Sequence, residues 1–84
     1  MTTPILSVGT KAYLDSFVGL VPCKVLAISE EHRVTVKLTA QRGAYKRGEV
    51  LPDQSARHIV PRSAVFIRCG QYRIRSFQVQ RGQS

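Results

Sequence analysis

Tryptophan is absent from this sequence, and its other aromatics are few: Tyr13, Tyr45, Tyr72, Phe17, Phe66 and Phe77. A core built without large rings must come from Val, Ile and Leu, residues that favour strands. No stretch carries the 3.6-residue apolar period of an amphipathic helix, so an all-β domain is expected. Acids are also scarce, with five Asp and Glu against thirteen Lys and Arg. They are scattered, mostly in expected turns and loops. Ser16, Ser29 and Ser63 lack the context of a nucleophile elbow, and there is no Gly-rich phosphate loop. No catalytic residue is therefore assigned, and the chain is expected to be no enzyme.

Cys23 and Cys69 fall in no metal-binding spacing, and His32 has no second histidine at ligand distance, so neither a metal nor a cofactor is expected. Both cysteines fit small core positions, with a Cys23–Cys69 disulfide as the alternative. The opening MTTPILSVG has no charged region followed by a long apolar stretch. The expectation is a cytoplasmic chain with reduced thiols and no membrane association.

What the sequence does have is strand alternation and arginine. In Arg33 to Thr39, residues Val34, Val36 and Leu38 should face inward, with Arg33, Thr35, Lys37 and Thr39 outward. Cys23 to Ser29 is apolar almost throughout, which suggests contacts on both faces. Glu30-Glu31-His32 joins these two strands as a hairpin. Lys11 to Leu14 reads as an earlier strand, followed by a loop over DSFVGLVP. Arg57 to Val60 is a brief strand broken at Pro61, and Ser63 is placed to cap one helical turn. Val65 to Arg68, a turn at Cys69-Gly70-Gln71, and Tyr72 to Val79 follow. Residues 40–55 read as a long loop, with room for a short strand at Glu49 to Leu51 interrupted by Pro52. The 84 residues allow one small domain over 8–80, a lead-in at 1–7 and a flexible tail at 81–84.

The order of these signals resembles the SH3-like barrel group, which includes KOW and Tudor-like modules. Val8-Gly9 opens the resemblance, Gly19-Leu20-Val21 precedes Lys24-Val25-Leu26, and Val34-Thr35-Val36 follows a tight turn. His58-Ile59-Val60-Pro61 and then Ser63-Ala64-Val65 resemble the strand, 3₁₀ turn and strand that end such barrels. The resemblance covers roughly residues 8 to 68 and departs from KOW at Pro22-Cys23, where a glycine is expected before Lys24. It implies a small, partly open barrel of five or six strands with one short 3₁₀ turn. Some small reductases of this group carry Val-Gln-Ile-Tyr-Pro. Arg57-His58-Ile59-Val60-Pro61 shares only the Ile and the Pro, and lacks the Gln and Tyr that would touch a ligand.

Charge is unevenly divided. Residues 1 to 41 hold four bases and three acids, whereas residues 42 to 84 hold nine bases, eight of them Arg, against Glu49 and Asp53. Arginine's planar fork suits phosphate and carboxylate. In TAQRGAYKRGEVL, Arg42, Lys46 and Arg47 could neutralise phosphates while Tyr45 stacks on a base. Arg73 and Arg75 alternate on one side of the last strand, about 7 Å apart, with Phe77 and Val79 continuing on that side. Arg57, Arg62 and Arg68 complete the candidate set.

The expected function is a non-enzymatic nucleic-acid-binding module acting through phosphate contacts, with a salt slope near about −5 on duplex if five or six phosphates are neutralised. The competing expectation is a protein-interaction or assembly module, such as an accessory protein of a phage or mobile genetic element. Its partner would be an acidic protein or a second copy of the chain, as a homodimer.

Overall fold

The computed structural model describes residues 3–80, which form strands, turns and 3₁₀ turns without an α-helix. The expected tail at 81–84 lies outside the described residues. The strands are β1 (Ile5–Leu6), β2 (Lys11–Ser16), β3 (Gly19–Ile28), β4 (Arg33–Leu38) and β5 (Val50–Ser55). They continue with β6 (Ile59–Pro61), β7 (Val65–Arg68), β8 (Gln71–Ile74) and β9 (Gln78–Val79). Five of them form one antiparallel sheet in the order β5-β4-β3-β2-β6. β7 pairs with β8 as an antiparallel ribbon, and β1 pairs with β9 in parallel.

The connection between the two edge strands bends the sheet. Laid flat, β5 and β6 would stand four inter-strand spacings apart, about 19 Å. Only the 3₁₀ turn Ala56–His58 joins them, and Ser55 to Ile59 can span at most about 14 Å. The sheet must therefore curl at that end. It stays open, since β5 and β6 share no ladder.

The alternation over Arg33–Leu38 is realised, with Val34, Val36 and Leu38 buried. The long apolar run before it is resolved differently. Val21, Cys23, Val25 and Ile28 are buried, while Leu26 and Ala27 face solvent. A register shift between Val25 and Ala27 changes the parity of the strand, so Val25 and Ile28 can both point inward. Contact on both faces is not needed to account for the run.

Four further segments differ from expectation. The loop over DSFVGLVP shrinks to a tip at Phe17-Val18, because Ser16 pairs with Gly19 and β3 starts at that glycine. The irregular stretch expected over 40–55 ends at Glu49, and β5 runs through Pro52. Proline is tolerated there because β5 is an edge strand, and a bulge at Asp53, with φ of 55°, absorbs the extra residue. Two 3₁₀ turns replace the one expected: Ala56–His58 stands where a strand was expected to begin, and Arg62–Ala64 follows Pro61. The described part of the lead-in, residues 3–7, is structural, because Leu6 in β1 is fully buried in the core.

The C-terminal strand breaks in two. β8 ends at Ile74, the Arg75 amide donates to the Ala64 carbonyl at 2.7 Å, and the chain then turns to pair β9 with β1. Phe77 and Val79 therefore part company with the arginines and pack on the protein's own core. These two side chains are thus used internally. Cys23 is buried and Cys69 exposed, and both are free thiols, so the disulfide alternative is not realised. Among the described residues no polar or charged side chain is fully buried, and no buried side-chain polar atom lacks a partner.

Candidate functional site

The register of β2, β3 and β4 places three lysines in one line. Lys11 is opposite Lys24, and Lys24 is opposite Lys37. Directly opposed residues project from the same face of a sheet. Ala12, Cys23 and Leu38, each one residue along, are the matching row on the buried face. The three lysines are exposed and about 5 Å apart from strand to strand. Like charges set directly opposite one another destabilise a sheet, so this row has a cost in folding free energy.

Arg62 extends the row. β6 lies against β2 with Pro61 opposite Ala12, which brings Arg62 to Lys11. Lys11, Lys24 and Arg62 line one shallow cleft together with Tyr13, Pro22 and Thr39. Four cations thus cross the outer face of the curled sheet in a single band. No acid lines that cleft. Among the described residues no Lys or Arg side chain hydrogen-bonds a carboxylate. The guanidinium bond that is formed runs from Arg42 Nη1 to the Gln41 carbonyl, at 2.8 Å.

The expected site residues are distributed over four places. Arg62 is in the band just described. Arg68 and Arg73 meet on one face of the β7–β8 ribbon, in a hollow with Phe66, Cys69 and Gln71. Arg73 is directly opposite Phe66 there. Arg75, just past the end of β8, is exposed. Arg42, Lys46 and Arg47 are exposed on the 39–49 connection, which is built from two tight turns.

In the first of these turns, Arg42 and Tyr45 exchange backbone hydrogen bonds at 3.0 and 2.9 Å. Gly43 adopts φ of 56°, and a Cβ there would stand 3.0 Å from a methyl of Val18. The connection is thus seated on the β2–β3 hairpin tip, where a side chain at position 43 would crowd the Val18 methyl. In the second turn Gly48 donates to the Leu38 carbonyl at 2.8 Å, and the Glu49 carboxylate accepts from the Lys46 amide at 3.3 Å. Tyr45 is half-buried against the core, so only part of its ring is free for stacking. Arg57 is exposed in the turn Ala56–His58.

The lysines of the first half were not singled out from sequence, because that half is nearly neutral overall. A signal was present: Lys24 and Lys37 each interrupt an apolar stretch at an outward strand position, and Lys11 opens one. Pairing Ala12 with Cys23 and Cys23 with Leu38 would have aligned them.

Among the described residues no three His, Cys, Asp or Glu side chains converge as metal ligands, and no helix is long and apolar enough to cross a membrane. No protein-family model, curated protein or solved structure matches this chain.

Proposed function

We propose that this chain is a small, non-enzymatic nucleic-acid-binding module of SH3-like architecture, which holds the phosphate backbone on the outer face of its main sheet. The observation that carries the reading is the band Arg62–Lys11–Lys24–Lys37. Cations aligned at a cost to stability and left without carboxylate partners are suited to an extended polyanion, whose charges repeat along a line. The architecture is supported by the order β5-β4-β3-β2-β6, in which the last core strand returns to the first after a 3₁₀ turn.

Arg42, Lys46 and Arg47 on the connection and Arg68, Arg73 and Arg75 on the ribbon add charge beyond the band. The band alone would neutralise about four phosphates, for a slope of log affinity against log salt near about −4 on duplex. Tyr45 is a minor contributor to stacking, since its ring is half-covered.

The test is retention of duplex and single-stranded oligonucleotides at low salt. Lys24→Glu, at the centre of the band, should weaken binding more than Arg42→Glu on the connection. Absence of binding to any DNA or RNA at low salt overturns the reading. A second reading, a protein-interaction or assembly module, is favoured by one observation: Ile67 is 77% exposed on the ribbon. Gel filtration separates the two readings, since co-purified nucleic acid supports the first and a dimeric elution volume the second.

A further inference from the structure

Phe17 is the most exposed large apolar side chain of the described residues, at 99%. It sits at the tip of the β2–β3 hairpin, where the turn closes by a bond from Ser16 Oγ to the Gly19 carbonyl at 2.9 Å. A hairpin tip needs no aromatic residue, and this one stabilises nothing within the chain. Polar and turn-forming residues serve such a position better.

The tip is not isolated. Phe17 lines an open hollow with Tyr45 and His58, so three rings from three separate segments border one space. Asp15, Ser16 and Gln54 line the same hollow. Two of the tethers that bring these segments together are visible. The contact of Gly43 with Val18 seats the Arg42–Tyr45 turn on the hairpin, and His58 ends the turn that leads into β6. Exposed Arg42 and Arg57 stand next to the ring-bearing residues: Arg42 is bridged to Tyr45, and Arg57 precedes His58.

We infer that this hollow is a binding subsite for an unpaired nucleobase, with Phe17 as the stacking surface. The inference rests on the nucleic-acid reading above and deepens it. Every base has a π-face, so a free ring stacks on unpaired bases with little regard to sequence. A carboxylate such as Asp15 repels phosphate, which argues against the hollow as one more backbone contact. The same carboxylate accepts a hydrogen bond from a base N–H, and the amide of Gln54 can both donate and accept. Arg42 and Arg57 supply cations for the phosphates on either side of the flipped-out nucleotide. The band on the sheet then sets affinity, and the hollow sets a preference for nucleic acid that presents unpaired bases.

The experiment compares three fluorescein-labelled strands of about ten nucleotides: oligothymidylate, oligouridylate and an abasic DNA strand with the same number of phosphates. Anisotropy titrations at one fixed low salt are run on the wild type, Phe17→Ala and Phe17→Tyr. Because Phe17 buries nothing, Phe17→Ala should leave the thermal midpoint unchanged. The wild type is expected to prefer the base-bearing strands by about tenfold or more over the abasic strand. Phe17→Ala should abolish that preference while keeping the affinity for the abasic strand, and Phe17→Tyr should retain it.

A preference for thymidylate over uridylate assigns the subsite to DNA, and the reverse assigns it to RNA. Either outcome supports the inference. Equal binding of base-bearing and abasic strands by the wild type overturns it and leaves the phosphate reading standing, as does a preference that Phe17→Ala leaves intact. No binding of any strand overturns both.

Discussion

The main sheet and the β7–β8 ribbon are written in similar sequence and end up in different environments. β4, RVTVKL, buries three of its six side chains completely. β7, VFIR, and β8, QYRI, are as apolar, yet of their eight residues only Val65 is even half-buried. The difference lies in what covers each face. Packed with β4 in the core are Leu6, Val21, Val25, Ile28 and Ile59, brought from three other strands. The ribbon's apolar side, Val65, Ile67 and Tyr72, borders only a shallow hollow with Tyr13 and Leu20. Apolar alternation marks a strand in both places, but the folding free energy comes from the opposing layer.

The sharpest way to break this comparison is one truncation in each region. Leu38→Ala should lower the unfolding free energy by about 2–5 kcal/mol, whereas Ile67→Ala on the ribbon should stay within about 0.5 kcal/mol of the wild type. Chemical denaturation of both variants decides it. Equal losses would mean that the ribbon is covered in solution. Between these extremes lies Phe77, half-buried where β9 joins β1. Phe77→Ala should cost about 2 kcal/mol and leave the sedimentation coefficient unchanged. A change in association state with unaltered stability would instead assign Phe77 to an intermolecular contact.

Alkaline pH separates the two regions through their thiols. Burial pushes the Cys23 thiol up from 9.0 to about 12, whereas Cys69 is exposed at the ribbon turn. The native state therefore holds the Cys23 proton where the unfolded chain releases it. Stability from this group is complete below pH 9 and declines as pH rises towards 12. Thermal midpoints measured across that window should fall, and Cys23→Ala should flatten the decline. A thiol reagent should label Cys69 at once and Cys23 only on unfolding.

The smallest expected effect bears most closely on function. Lys24→Gln removes the central charge of the row and should raise stability by about 0.5 kcal/mol at low salt, the gain shrinking as salt screens the repulsion. A loss of stability in this variant would mean that the lysine stems contribute more through packing than their charges cost.

The legible part of the fold was set by local periodicity. Val34, Val36 and Leu38 were placed inward from their spacing alone, and the turns at Glu30–His32 and Cys69-Gly70 from their composition. Long-range pairing decided the rest. Whether Leu6 is a lead-in or a core residue depends on Gln78–Val79 arriving beside it from the far end of the chain. Pro52 reads as a strand breaker unless its strand is known to lie at an edge.

The candidate site divides in the same manner. Arg62, Arg68 and Arg73 were visible as charge, yet their neighbours were not. Lys11, Lys24 and Lys37 are thirteen residues apart at each step, and only the ladder register sets them side by side. Phe17 went unread because a lone aromatic in a turn carries no periodicity.

The most direct measurement of the central claim is the salt dependence of duplex binding by the wild type and by the combined Lys11→Gln, Lys24→Gln, Lys37→Gln variant. If the row holds phosphates, the slope of log affinity against log salt should become shallower by about three in the variant. An unchanged slope would show that phosphate is held elsewhere on the molecule, and would contradict the account.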